Sequence, residues 1–445
     1  MIETKDRELM HRCLDFALSS GACDARIQLN RSTEDLVSTL DGEIDKITRC
    51  EDSSAVITLF VDGRYGTFST NCLDERELKD FIAKAVQATR MLEEDSLRRL
   101  PDPERCCRNA LSGDELELYD PGYETLTSQK RRAIALEACV TGKCGGPDWK
   151  LISEEGEFSD SLNETYLADT QGLDCLHRET NFDYAVEVTI QDSKGERYSS
   201  WWWESAQRLS DLDISRCGLT AVGRAEAQRG SAPIKSGKYN MVVECSAASR
   251  MISPILDALN GFSLQQHNSF LDGSLGKKVF PEGMTLMDLP HIKGDCCSKL
   301  FDAEGVATRE GPIIEKGVVK EYFLSTYTAG KMGLEPTVAE YTRPKLLPWP
   351  ETGTGCADLL KKCGSGILVR EFNGGNCNSA TGDFSYGIEG FWFENGKILK
   401  PVGEMLVTGN FLTLWKNFVA AADDPRKCMS KLIPTLAFSN VDFSG

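Results

Sequence analysis

The chain has 445 residues, 41% hydrophobic and 27% charged, an ordinary globular composition long enough for two or three domains. Fifty basic residues against 68 acidic ones give a net charge of −18, which argues against a phosphate-neutralising nucleic-acid surface and against an anionic membrane. No apolar run approaches the roughly 20 residues of a spanning helix. The amino terminus is charged from the start instead of carrying a signal's apolar core, so a cytoplasmic protein is expected.

The first predicted element is a helix on which Leu9, Cys13, Phe16 and Ala17 form one stripe, stopping near Gly21. A strand follows at 25–29. Asp-Gly dipeptides at 41 and 62 then punctuate strand-like runs, the strongest short signal for antiparallel hairpins. Asp74, with Glu77 three residues on, opens a helix to about Met91 that buries Leu78, Phe81, Ile82 and Ala85. The charged, proline-bearing stretch after it reads as a linker or surface crossing.

Beyond a helix at 128–140, Phe182, Tyr184, Val186, Val188 and Ile190 alternate with polar or small residues, a clean period of two. The Asp-Ser-Lys-Gly-Glu turn leads into a strand bearing Trp201, Trp202 and Trp203, which cannot all face one side. Either one indole reaches an interface or groove, or two are core and a helix covers the third, the commoner arrangement. A helix at 213–228 ends at Gly230, followed by a short helix at 246–260. Residues 291–332 read as strand, loop, strand, a Lys-Gly turn, strand and helix. Gly364 and Gly366 introduce a strand, Asn395-Gly396 turns a hairpin, and Phe411, Leu414, Trp415 and Phe418 form a last helix capped by Asn410. Helices and antiparallel strands are segregated, so the class is α+β, divided as 1–100, 101–230 and a β-rich 231–445.

Chemistry is sparse. The seventeen cysteines contain no CxxC pair, and the doublets Cys106-Cys107 and Cys296-Cys297 have no zinc spacing, so reduced, mostly buried thiols are expected. The four histidines form no His-x-x-x-His pair. There is no Gly-x-Ser-x-Gly elbow and no phosphate loop. Asp302 and Glu304 could be a carboxylate pair for acid/base work, but the glycine after them and the Thr-Arg that follows, with Arg309 pairing a carboxylate or the backbone, suggest a hydrogen-bonded turn instead. In residues 377–398, Cys377, Asp383 and Ser385 could be a catalytic set. Gly382, Gly387 and Gly390 instead suggest turns and bulges, with Asp383 and Ser385 satisfying backbone donors.

Four blocks in order, 41–70, 169–209, 301–334 and 380–398, resemble the TldD/PmbA family, described as modulators of DNA gyrase and peptidase subunits. One arm of that family carries His-Glu-x-x-x-His on a helix and a cysteine near the C-terminus. Here the corresponding helix places Ile255, Leu256, Ala258 and Leu259 where metal-binding residues would stand, with Asp257 alone among them, and Cys428 lies near the cysteine's place without its histidines. The resemblance therefore implies the PmbA/TldE-like arm: a non-catalytic subunit with no cofactor of its own, zinc being expected only in a TldD-like peptidase partner. It further implies peptide or unfolded-polypeptide substrates, including gyrase-targeting peptides and antitoxins, and a homo- or heterodimer. Trp202, Trp203, Arg309, Asp383, Ser385, Tyr386 and Trp392 are the residues expected to frame a peptide path or interface. The alternatives are a peptide-binding or chaperone-like protein without a protease partner, and a self-sufficient peptidase using Cys377.

Overall fold

A computed structural model describes residues 1–350 and 355–445. Its first half is built on one antiparallel six-stranded sheet, ordered β3-β2-β1-β4-β5-β6. The strands are β1 (Asp24–Leu40), β2 (Glu43–Val61), β3 (Arg64–Thr70), β4 (Trp149–Asp169), β5 (Asp174–Asp192) and β6 (Arg197–Ala206). Both Asp-Gly dipeptides turn hairpins as expected: Asp41 and Asp62 take φ of 51° and 50° and the glycines after them are also left-handed, the geometry a two-residue turn between twisted strands requires.

Four helices cover one face of this sheet: α1 (Thr4–Ser19), α2 (Glu75–Thr89), α3 (Ser128–Glu137) and α4 (Cys217–Ala227). Met10, Cys13, Leu14 and Ala17 of α1 and Leu78, Ile82, Ala85 and Val86 of α2 bury against β1 and β2. The Asp74 carboxylate caps α2 by accepting from the amides of Arg76 and Glu77. A second core lies under α3 and α4, where the alternating residues of β5 point inward.

Several expectations need correction. The pairing of β1 with β4 crosses the division set at residue 100, so both N-terminal segments share one sheet. Nor is the stretch after α2 a loose linker: Leu100, Cys106, Cys107 and Ala110 are buried, the last three in a small core with Cys175 and Phe301. Helices α3 and α4 are each shorter than expected. Residues 291–310 form turns where a strand was expected, held by side chains such as Ser298, whose hydroxyl donates to the Ile292 carbonyl at 2.7 Å. Of the seventeen cysteines six are buried, nine intermediate and two, Cys23 and Cys50, exposed, so "mostly buried" overstates their burial.

The second half holds a small sheet and a large one. The small sheet is β10-β9-β8-β11, from β8 (Leu286–Asp288), β9 (Gly311–Glu315), β10 (Val318–Val319) and β11 (Pro344–Leu346). The large one is ordered β14-β13-β12-β7-β16-β15, from β7 (Gly237–Val243), β12 (Gly366–Cys377), β13 (Asp383–Glu394), β14 (Lys397–Asn410), β15 (Phe418–Ala421) and β16 (Leu436–Ser444). Strand β14 also pairs with β16 through residues 406–408, which closes this sheet on itself. Five helices complete the half: α5 (Ser253–Ala258), α6 (Gly261–Gln265), α7 (Thr326–Met332), α8 (Cys356–Cys363) and α9 (Phe411–Lys416). The α+β class holds.

Gly387 and Gly390 sit where β13 crowds β12. A Cβ at Gly390 would overlap the Leu368 carbonyl oxygen, and on the strand's other side the ladder with β14 slips a residue between Ile388 and Gly390, the bulge expected there. Backbone cannot retreat as a flexible side chain can. Gly390→Ala is expected to destabilise the chain by about 1–3 kcal/mol, read as a lowered urea midpoint; an unchanged midpoint would show that the closed sheet is looser than described.

Candidate functional site

Strand β6 is the edge of the N-terminal sheet, paired only with β5, and it lies along the junction with the C-terminal half. Three neighbouring hollows share its residues. The first, about 170 Å³, is lined by Trp201, Trp202 and Trp203 with Arg224, Arg250 and Arg370. The second, about 540 Å³, shares Trp202 and adds Glu204, Glu244, Asp424 and Arg426. The third, about 690 Å³, faces Asn181, Ser205 and Gln207 across from Asp257, Tyr341 and Cys428. A groove with an aromatic, cationic end and a polar end therefore follows one strand edge.

None of the three indoles is fully buried. Trp201 is exposed and stacks on Trp203 with centroids 4.7 Å apart, while its Nε1–H donates to Glu371 on β12 at 3.0 Å. Arg426 closes over the other two, its guanidinium 4.0 Å from the Trp202 ring and 4.1 Å from the Trp203 ring, and it donates to the Trp203 carbonyl and the Glu204 carboxylate. The triplet lines two hollows beside β6; Trp202 packs partly against the core under α3 and α4, which two core indoles would have shared, while Trp201 is exposed.

The charges are arranged. Glu244 at the end of β7 pairs with Arg224 at 2.7 Å and Arg370 at 3.3 Å. Burial would raise its carboxyl, but the two guanidiniums outweigh that and hold it below the usual range. Arg250 lies over the Tyr386 ring at 4.4 Å and is exposed toward the same hollow.

The other expected residues disperse. Tyr386 is buried behind the groove, in contact with Arg250 and Phe372 of its lining. Arg309 is exposed and pairs with Glu321 at 2.9 Å. Asp383 accepts from the Thr381 hydroxyl and the Asn410 amide, side-chain donors where backbone ones were expected, and these hold its carboxyl low. Ser385 is exposed on β13, and Trp392 packs edge-on against Tyr239. Cys377 is a poor nucleophile: burial raises its thiol. Asp302 and Glu304 are structural, Asp302 accepting from the amides of Glu304, Val306 and Ala339, and Glu304 from Thr326. Arg224, Arg250, Arg370, Arg426 and Glu244 escaped the sequence reading, since single charges scattered over 200 residues carry no pattern.

A metal would need three convergent donors. Among the described residues no group of three His, Cys, Asp or Glu side chains is so arranged. The histidines have other neighbours: His11 meets Asp174, His177 lies 3.5 Å from Glu179, His267 meets Asp272 and His291 meets Thr308, and none lines the groove. Where the resemblance would put a zinc helix, Ile255, Leu256, Ala258 and Leu259 are at most 1% exposed within the C-terminal core. Asp257 alone faces the cleft, its carboxyl raised by burial, and burial likewise pushes the Cys428 thiol to about 11. These residues do not fit a zinc ion.

Two family models match the chain: the PmbA/TldA metallopeptidase C-terminal domain over residues 236–445 and the PmbA/TldA metallopeptidase domain 1 over residues 25–89. Metalloprotease PmbA of Escherichia coli O157:H7 is 26% identical over 442 residues, 97% of this chain and 96% of that protein. A crystal structure of a candidate modulator of DNA gyrase from Bacteroides thetaiotaomicron is 38% identical, covers 100% of both chains and superposes with a TM-score of 0.94. TldE from Thermococcus kodakarensis, 19% identical over 98% of this chain and 100% of that one, shares the fold at a TM-score of 0.83.

Proposed function

Because the chain belongs to the PmbA/TldD metallopeptidase family, we propose that it is a PmbA/TldE-like subunit without a metal centre of its own. It completes a peptidase whose zinc and general base reside on a TldD-like chain. The observation that carries this reading is the helix at 253–259, whose four candidate ligand positions are apolar and buried in the core. The substrates are peptides and unfolded polypeptides, and the groove along β6 guides them: an edge strand with one strand neighbour can add an extended chain, indoles and arginines grip aromatic or acidic side chains, and the polar hollow takes backbone groups. A heterodimer formed in the cytoplasm is part of the same proposal; no helix among the described residues is long and apolar enough to cross a membrane.

Peptide hydrolysis and zinc content measured on the isolated chain, on a TldD-like subunit and on their mixture decide it. The expected result is stoichiometric zinc in the partner only, with hydrolysis enhanced by adding this chain. Zinc-dependent hydrolysis by the isolated chain would overturn the reading. Peptide binding by the chain with no effect on any such partner would instead favour a chaperone-like binder.

A further inference from the structure

The polar hollow contains a second chemistry that the peptide-guiding role does not use. Cys296, Cys297 and Cys428 all line it. Beneath them lies Arg343, whose side chain is 0% exposed, an unusual place for a guanidinium. Its Nη2 donates to Asp295 at 3.2 Å and to the Lys427 carbonyl at 3.0 Å, and its Nη1 goes to Cys296, meeting the carbonyl oxygen and, at 2.7 Å, the sulfur. The Nε finds no partner among the described residues.

A buried guanidinium stabilises a thiolate beside it, although Asp295, already paired with Arg343, acts against that charge. Two carbonyls oppose it as well, those of Lys427 and Met429, but they stand 3.9 and 3.7 Å from the sulfur and are dipoles, against a full charge at 2.7 Å. The guanidinium wins. The neighbouring Cys297 thiol and then Arg343 itself lower the Cys296 thiol, while Cys297 rises in return.

The two carbonyls also fix which thiol is the partner. They belong to the residues before and after Cys428, so the Cys296 sulfur rests against the backbone around that residue. Cys297 is a worse partner, because adjacent Cα atoms stand about 3.8 Å apart, short of the roughly 4.4 to 6.8 Å that an unstrained disulfide spans.

We propose that Cys296 is a reactive thiolate and a hydroperoxide-oxidised modification site, with Cys428 as its resolving thiol. The Cys296 sulfur attacks the distal oxygen of a hydroperoxide; the O–O bond breaks, a sulfenic acid forms, and the leaving hydroxide or alkoxide takes up a proton. The Cys428 sulfur then attacks the sulfenic sulfur, its own proton leaving with the displaced hydroxide as water, and a disulfide forms. The two thiols have supplied two electrons and the peroxide has accepted them. The bridge would pin the segment carrying Arg426, and with it the clamp over Trp202 and Trp203. This inference is independent of whether a zinc partner exists.

The full-length reduced chain serves as its own control, since Cys23 and Cys50 are the exposed thiols. At pH 7, peptide mapping after limiting iodoacetamide should show Cys296 alkylated about tenfold faster than either, the gain from near-complete ionisation less the lower intrinsic nucleophilicity of a low-pKa thiolate. After hydrogen peroxide treatment the dominant cross-linked peptide should join Cys296 to Cys428. In Cys428→Ser, dimedone should instead trap a sulfenic acid at Cys296. Labelling of Cys296 no faster than Cys23 and Cys50 would overturn the proposal, and so would a peroxide-treated protein without the 296–428 peptide; both readouts use the wild-type chain and do not depend on any variant folding.

Discussion

Replacing Arg131 with methionine is expected to destabilise the chain by about 3–5 kcal/mol at neutral pH, with the loss shrinking as the solution is made acidic. Asp35 and Asp160 stand directly opposite each other in the β1–β4 ladder, an arrangement of like charges that a sheet resists. Arg131 reaches down from α3 to resolve it. It grips Asp160 with two 2.7 Å bonds, touches Asp35 at 3.1 Å, and donates to the Leu126 carbonyl. Asp160 is 1% exposed and its folded carboxyl is already raised by burial, with Arg131 opposing that rise.

The pH dependence follows by linkage. Without Arg131 the folded Asp160 carboxyl rises further above its unfolded value of 3.8. A carboxyl raised in the folded state loses stability as pH climbs from the unfolded pKa to the folded one, because the native state holds the proton longer. The deficit of Arg131→Met relative to wild type should therefore be larger at pH 8 than at pH 5. Urea midpoints at the two pH values test it, and equal deficits would mean that lost packing of the arginine stem, not the stranded carboxylates, sets the cost.

Leu256→Glu should cost about 4 kcal/mol or more, and it should create no zinc site. Leu256 is 0% exposed in the C-terminal core, among Ile255, Leu259 and residues of the surrounding sheets. A carboxylate placed there loses its water without gaining a partner, a far larger penalty than any weak gain from a single metal donor. Leu259→His should behave alike. Metal content by elemental analysis, alongside urea unfolding, checks both. A stably folded Leu256→Glu chain that took up stoichiometric zinc would show that the helix can turn its face to the cleft, and would remove the principal support for a subunit without a metal centre.

The expectations that held are those decided within a few residues. Asp-Gly and Asn-Gly turns, the Asp74 and Asn410 caps, the alternation of β5 and the glycine bulge of β13 all arise from local backbone freedom and hydrogen-bonding reach, which neighbouring residues supply. The apolar character of Ile255, Leu256, Ala258 and Leu259 was equally plain, because ligand-bearing residues are either present at a given spacing or they are not. Where reading failed, the cause was distance. The sharing of one sheet by residues 24–206 depends on β1 pairing with β4, some 115 positions away, and the packed stretch at 100–110 is buried only because Phe301 and Cys175 cover it.

The sequence by itself thus determined the α+β class, the lack of a helical metal grip and the resemblance to one family. Those properties are sums over local patterns. Only the tertiary structure decided that the tryptophan triplet lies on an edge strand beneath Arg426, that Glu244 gathers Arg224 and Arg370, and that Cys296 rests on a buried Arg343 beside Cys428. Each of these sites joins residues from two or more distant segments, and the energy of such contacts depends on burial and on ångström-scale separation, neither of which a linear order of residues contains.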